Sequence, residues 1–138
     1  MSSVPVRIEA DTVRALRKRS SESGEPMARL AQRYIEEGLR IERHPAIFFR
    51  TGPAGRRAVV VGGADVWEII TAVRGAPEKG EALFDAIAER TGARAEHVRS
   101  AVRYYAEYPD EIDQWMAMVE EEAEQLEKAF ERERQLLE

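Results

Sequence analysis

The chain has 138 residues, which is enough for one domain or two small ones. Hydrophobic residues make up 43% of the sequence and charged residues 34%, a balance that suits a soluble, helix-rich protein. No apolar run is long enough to predict a membrane span, and the N-terminus lacks the apolar core of a signal peptide. The absence of cysteine excludes disulfides, thiolate metal sites and cysteine nucleophiles, and it agrees with a cytoplasmic location.

The net charge of −5 conceals an asymmetry between the two halves of the chain. Residues 1–60 contain 12 Lys/Arg and 7 Asp/Glu, a net charge of +5, whereas residues 61–138 contain 9 and 19, a net charge of −10. A basic half favours an anionic partner, and an acidic half suits a basic protein partner. Solvated helix faces explain the same charges, so charge alone leaves both interpretations open.

The first predicted module, residues 1–44, begins with a short strand. Val4, Val6 and Ile8 alternate with proline and charged residues, which is the period of a strand with one apolar face. A single strand is not stable in water, because it has no ladder partner. The economical partner is a second copy of the chain, with the two strands paired antiparallel across a two-fold axis. The sequence therefore predicts a homodimer.

Two helices are predicted after this strand. Asp11 or a near neighbour caps the first helix, which runs to about Ser21. Gly24 and Pro26 then separate it from a second helix that runs to about Arg43. The apolar side chains of the second helix recur at helical spacing: Leu30, Tyr34, Ile35 and Leu39.

The second predicted domain, residues 45–108, contains a β-hairpin and three helices. Two apolar runs, 47–50 and 58–61, flank a turn at 51–55 that is rich in Gly and Pro. The three helices are predicted at 66–73, where Asp65 is the cap, at about 79–90, and at about 94–107.

The last two of these helices have the lengths of a helix-turn-helix, with Thr91-Gly92-Ala93 as the turn. Basic residues on the second helix of the pair are candidates for contact with a DNA groove. A solvated face balanced by nearby glutamates explains them equally well. These candidates are Arg94, His97, Arg99 and Arg103.

The third predicted segment, residues 109–138, is one long helix with Pro109 in its first turn. Its apolar residues follow alternating steps of four and three, which predicts an amphipathic helix or a short coiled-coil seam. At roughly 40 Å it is too long to pack wholly on a small domain, so the same helix of a second chain or a groove on a partner should cover it. The predicted partner-binding residues are Trp115, Met116, Val119, Leu126, Phe130 and Leu137, together with Arg132 and Arg134.

The sequence contains no motif for catalysis. No nucleophile–base pair, phosphate-binding loop or metal-ligand spacing is present, and His44 and His97 are the only histidines. We therefore predict that the chain is not an enzyme and has no catalytic residue, metal or cofactor. The predicted fold class is mainly α, with a small β part.

The segment VPVRIEADTVRALRKRSSESGEPMARLAQRYIEEGLR, residues 4–40, resembles the ribbon-helix-helix family of DNA-binding repressors and antitoxins. The resemblance implies a dimer whose two-stranded ribbon enters the major groove of operator DNA, while the second helix binds a phosphate with its N-terminus. Arg7 is then the natural reader of a base. The DNA-binding residues implied in this way are Ser3, Pro5, Arg7, Arg14, Met27, Ala28 and Arg29.

Two later segments, GRRAVVVGGADVWEIITAVRG and RAEHVRSAVRYYAEYPDEID, resemble a small domain that recurs in VapB-like antitoxins of toxin–antitoxin pairs. The resemblance implies a partner toxin similar to PIN-domain ribonucleases, whose magnesium chemistry belongs to the toxin. The expected function is an antitoxin that binds operator DNA as a dimer and neutralises such a toxin. The alternatives are a dimeric transcriptional regulator without a toxin, and an interaction module that does not bind DNA.

Overall fold

A computed structural model of the chain describes residues 2–138 and divides it into two compact units, Met1–Arg43 and His44–Glu138. Helices make up 69% of the protein, and the described residues contain one sheet of two antiparallel strands. The predicted mainly α class with a small β part is confirmed. No helix within residues 2–138 has the length and apolarity needed to cross a membrane.

The first unit contains two helices, α1 (Ala10–Ser23) and α2 (Met27–Arg43), as predicted. Gly24 ends α1 in the left-handed conformation, with φ of +74°, and its N–H donates to the carbonyl of Ser20. This conformation favours glycine because a side chain would strain it. The N-cap falls on Glu9 and not on Asp11, which lies inside the first turn, where an acid is stabilised by the helix dipole.

The segment that precedes α1 forms no strand in the single chain. Residues 2–9 are exposed, and the Val4 side chain is 80% exposed. A strand needs a neighbour to accept and donate its backbone hydrogen bonds, and no described segment of the same chain pairs with it. The predicted ribbon is therefore not formed within the single chain.

The second unit begins with a hairpin of β1 (Ile47–Gly52) and β2 (Gly55–Val60). The register pairs Ile47 with Val60 and Gly52 with Gly55, so only two residues form the turn. The predicted loop of five residues was too long. The strands extend further because Gly55, with φ of +126°, permits a tighter turn than the sequence pattern indicated.

Four helices follow and enclose the core of the second unit: α3 (Val66–Gly75), α4 (Glu81–Thr91), α5 (Ala95–Glu107) and α6 (Pro109–Leu137). The hairpin packs on α3 and α5, and α3 also contacts α4 and α6. Ile112 buries the start of α6 in this core, so the predicted third segment is not separate but continues the second unit. The buried core side chains include Ile47, Val60, Val66, Ile69, Ile70, Ile87, Val98, Ala101, Tyr104 and Ile112.

Asp65 joins the hairpin to α3 through its side chain. It was predicted to cap α3 and does stand at the N-cap, but its carboxylate makes no cap hydrogen bond. The carboxylate instead accepts hydrogen bonds from Nε of Arg57, at 2.6 Å, and from Nε1 of Trp67, at 2.9 Å. Asp65 is only 6% exposed, so its charge is balanced inside the unit rather than by water.

We expect Asp65→Ala to destabilise the second unit by about 2 kcal/mol, because the guanidinium of Arg57 and the indole N–H of Trp67 lose a common acceptor. The control is Glu81→Ala, which breaks the exposed Arg99–Glu81 pair in the same unit and should cost less than about 1 kcal/mol. Urea unfolding followed by tryptophan fluorescence measures both, since both tryptophans lie in this unit. Equal losses for the two variants would contradict the assignment.

Candidate nucleic-acid and protein interfaces

The residues predicted to contact DNA lie at two places in the first unit. Ser3, Pro5 and Arg7 are exposed in the segment before α1. Met27, Ala28 and Arg29 form the first turn of α2, where the N–H of Leu30 is the first to find an acceptor, the carbonyl of Pro26. The preceding N–H groups point out of the helix start and can receive a phosphate oxygen. Met27 is half-buried, whereas the next two side chains are exposed.

Some of the basic residues of the first unit are engaged in ion pairs. Arg14, a predicted phosphate contact, pairs with Asp11 one turn earlier on α1. Both side chains are largely exposed, so water competes with this pair and a phosphate can replace the carboxylate at low cost. Arg33 is different, because it reaches Glu25 at 2.7 Å and is half-buried. We assign Arg33 to holding the turn between the two helices.

The first unit exposes many of its apolar side chains. Leu30 is the only buried residue of α2, and α1 buries none. An exposed apolar surface of this kind is typical of an interaction site. The exposed members are Val4, Val6 and Ile8 before α1, and Tyr34, Ile35, Leu39 and Ile41 on α2.

The predicted helix-turn-helix corresponds to α4 and α5, with Gly92 in the left-handed conformation between them. Most basic residues of α5 have acidic neighbours in the same chain. Arg99 is 2.6 Å from Glu81 and lies over the ring of Phe84. Arg94 and His97 both approach Glu96. Arg103, the fourth candidate, is exposed. Arg99, which is both paired and stacked, is therefore less available to DNA than Arg7, which is exposed.

The residues predicted to bind a partner through α6 fall into two groups. Trp115, Met116 and Val119 are half-buried. Met116 packs on the core and its sulfur accepts a hydrogen bond from Thr71, while the Trp115 ring lies beside Gly55 in the hairpin turn. Trp115 and Met116 therefore contact the rest of the second unit, and Val119, the next residue of the stripe, is half-buried.

Beyond residue 119, every residue of α6 is exposed. Leu126, Phe130 and Leu137 are 72%, 68% and 81% exposed, and Arg132 and Arg134 lie among them in the sequence. We call residues 120–137 the free segment of α6. Its apolar side chains have no cover within the described chain, so the fully exposed part of the predicted interface lies in this segment.

A polar cluster that the sequence did not reveal fixes the base of α6. Asp113 accepts hydrogen bonds from Tyr105 of α5, at 2.8 Å, and from Arg74 of α3, at 2.7 Å. The hydrogen bond from Tyr105, assisted by Arg74, holds the pKa of Asp113 below its ordinary value, and the same bond raises the pKa of the Tyr105 hydroxyl. The cluster thus joins three helices and sets the direction in which the free segment leaves the unit.

His44 lies at the start of the second unit, where it was predicted to end the preceding helix, and α2 does end at Arg43. Its ring contacts Glu107 through Nε2, at 2.7 Å, and stands edge-on to Tyr104. This contact fixes the beginning of the unit to the end of α5. Among residues 2–138, no three or more His, Asp or Glu side chains converge on a position that suits a metal ion.

Comparison with known proteins adds no relative. The chain matches no protein-family model, no curated protein and no solved structure. Three surfaces of the chain itself are therefore the candidates for its function. These are the basic segment and helix start of the first unit, its exposed apolar side chains, and the free segment of α6.

We expect Val6→Glu to weaken self-association of the first unit by on the order of 10²–10³, because two apolar side chains per dimer lose their burial. Arg7→Glu is the matched control, since it places the same charge on the opposite face of the segment. Sedimentation equilibrium measures the dimer dissociation constant of each variant. Both variants also carry Leu126→Glu, so that α6 does not contribute to self-association. The same self-association in both variants would contradict a dimer through this segment.

Proposed function

We propose that the chain is the antitoxin of a toxin–antitoxin pair, which binds operator DNA as a dimer and neutralises a ribonuclease toxin of the PIN type. The observation that carries the proposal is the pairing of charge with uncovered apolar surface. The first unit, whose residues 1–43 contain nine Lys/Arg and seven Asp/Glu, exposes one set of apolar side chains, and an acidic helix exposes another. The first combination fits DNA binding by a dimer, and the second fits capture of a basic protein.

The DNA-binding part rests on the alternation of residues 3–8. When Val4, Val6 and Ile8 face a second copy, Arg7 is directed to the opposite face of the ribbon. A two-stranded ribbon fits the major groove, and an arginine there can pair with guanine through two hydrogen bonds. The start of α2 supplies N–H groups for a phosphate. The phosphate contact would fix the position of the dimer on the DNA, and the contact of Arg7 with a base would give sequence preference.

The toxin-binding part rests on the free segment of α6. Its glutamates steer the helix towards a basic surface, and its leucines and phenylalanine supply affinity once they enter a groove. Arg132 and Arg134 lie within this segment and are the residues we propose to reach the acidic metal site of the toxin. The toxin's own carboxylates hold the metal, so no metal ligand is required of this chain.

The alternative is a dimeric transcriptional regulator without a toxin, and the spacing of the apolar residues on α6 favours it. Steps of four and three are typical of a helix that pairs with another helix. Co-purification distinguishes the two functions: an antitoxin retains the product of a neighbouring small gene, and a regulator does not. A third possibility, an interaction module without a DNA role, predicts no salt-dependent binding to promoter DNA.

We expect Arg7→Ala to reduce affinity for promoter DNA more than Arg99→Ala does. Loss of a base contact costs about 1–3 kcal/mol per site, whereas Arg99 is already held by Glu81 and Phe84. The affinity of each variant for the promoter of the chain's own gene is measured at one salt concentration. The two variants are comparable because each replaces one arginine by alanine. An unchanged affinity of the Arg7→Ala variant would contradict a DNA contact through the ribbon.

We expect deletion of residues 120–138 to abolish neutralisation of the toxin while DNA binding stays largely intact, because these residues lie outside the packed part of the second unit. The double variant Leu126→Glu, Phe130→Glu keeps the full length and should have the same effect through the loss of apolar contact alone. Toxin ribonuclease activity with added antitoxin is the measurement. A truncated chain that still inhibits the toxin would contradict the proposed role of α6.

A further inference from the structure

The end of α6, from the half-buried Val119 through the free segment to Leu137, carries an apolar stripe that is symmetrical about residue 128. Two pairs of apolar residues, Val119 with Leu137 and Leu126 with Phe130, are equally distant from that residue in sequence. The remaining positions of the stripe, Ala123 and Glu133, form a third such pair. Consequently, when two copies of this helix lie antiparallel, each residue of the stripe faces another residue of the stripe over about 27 Å.

The charges beside the stripe favour the same arrangement. Glu120 and Arg134 occupy equivalent positions two heptads apart, each directly following a stripe residue. In an antiparallel pair such positions meet across the interface, so Glu120 of each copy faces Arg134 of the other. The position between them, Glu127, meets its own copy near the centre. Two attractive contacts therefore stand against one repulsive contact.

A parallel pair is unfavourable for the same sequence. Each stripe residue would then meet its own copy, which places Glu133 against Glu133 within the apolar seam. Glu122 of each copy would also face Glu127 of the other, giving two further repulsive contacts. Antiparallel pairing avoids both, because Glu133 faces the small side chain of Ala123.

The surface of the free segment also fits the antiparallel partner. Glu122, Gln125, Leu126 and Ala129 line a shallow depression on α6. By the symmetry about residue 128, the side chain of Phe130 from the second copy lies opposite this depression. A large aromatic side chain then occupies a site with an apolar floor, which is the usual packing of one helix into another.

We infer that the free segment of α6 pairs antiparallel with the same segment of a second copy of the chain, through Leu126, Phe130 and Leu137. This contact is distinct from the proposed ribbon dimer and does not rest on the proposed function. A toxin that binds the same stripe must displace the second copy, so the two occupants of the stripe exclude each other.

Disulfide formation tests the direction of pairing, because the chain has no cysteine of its own. Full-length chains that carry Ala123→Cys or Glu133→Cys are co-expressed with different tags and oxidised. Antiparallel pairing predicts disulfides between the two different chains only. Disulfides between identical chains would show a parallel pair, and the absence of disulfides would show that something else covers the stripe; either result overturns the inference. Lys128→Cys, on the outer face, is the control for random collision.

Charge reversal provides a second and independent test. Arg134→Glu should weaken pairing by about tenfold, since two attractive contacts become repulsive. The double variant Glu120→Arg, Arg134→Glu should restore it, because the contacts are the same with the charges exchanged. These positions lie about 21 Å apart within one helix, so restoration requires a second copy. Sedimentation equilibrium in a chain that also carries Val6→Glu measures the α6 contact alone. Failure of the double variant to recover would refute antiparallel pairing.

Discussion

Two helices and a short extended segment cannot enclose their own apolar side chains, and this constraint governs the first unit. Within Met1–Arg43, only Leu30 is buried among the described residues, although both helices have an apolar side. A chain of about 40 residues rarely forms a stable core without help from a metal, a disulfide or another subunit. With no cysteine present, another subunit is the remaining economical means of covering Val4, Val6 and Ile8. In the proposed function, dimerisation and the presentation of Arg7 both rest on this one alternation.

The sequence predicted what depends on local periodicity. The bounds of α1, α2 and α5 were close to those observed, because apolar spacing and Gly or Pro signals act within a few residues. The side-chain role of Asp65 was not predictable, since its acceptor function depends on Arg57 of the facing hairpin. The hydrogen bond between Arg74 and Asp113 was even less predictable. The two residues are 39 positions apart in the sequence, and no local pattern indicates such a contact.

The candidate sites show the same division between local and long-range information. A helical stripe from Trp115 to Leu137 looks uniform in the sequence, and only the packing of the second unit separates its half-buried beginning from its free segment. Likewise, Arg7 and Arg99 are equivalent in residue type. They differ because Arg99 has a carboxylate and an aromatic ring within reach, whereas Arg7 lies exposed in a segment without strand partners. Arg7 and Arg99 therefore differ as DNA-binding candidates because of the side chains around them, and not because of residue type.

The free segment of α6 links the two proposed occupants through simple competition. A toxin can bind the stripe only in chains whose α6 is unpaired. Self-pairing lowers the fraction of such chains, and the apparent affinity for the toxin falls in proportion. Because self-pairing depends on chain concentration and toxin binding withdraws single helices, each equilibrium opposes the other. Glu127, which meets its own copy in the antiparallel pair, weakens that pair without touching the apolar stripe. In this proposal, the self-contact covers Leu126, Phe130 and Leu137 while no partner is present, and a basic partner that pairs with the same glutamates displaces it.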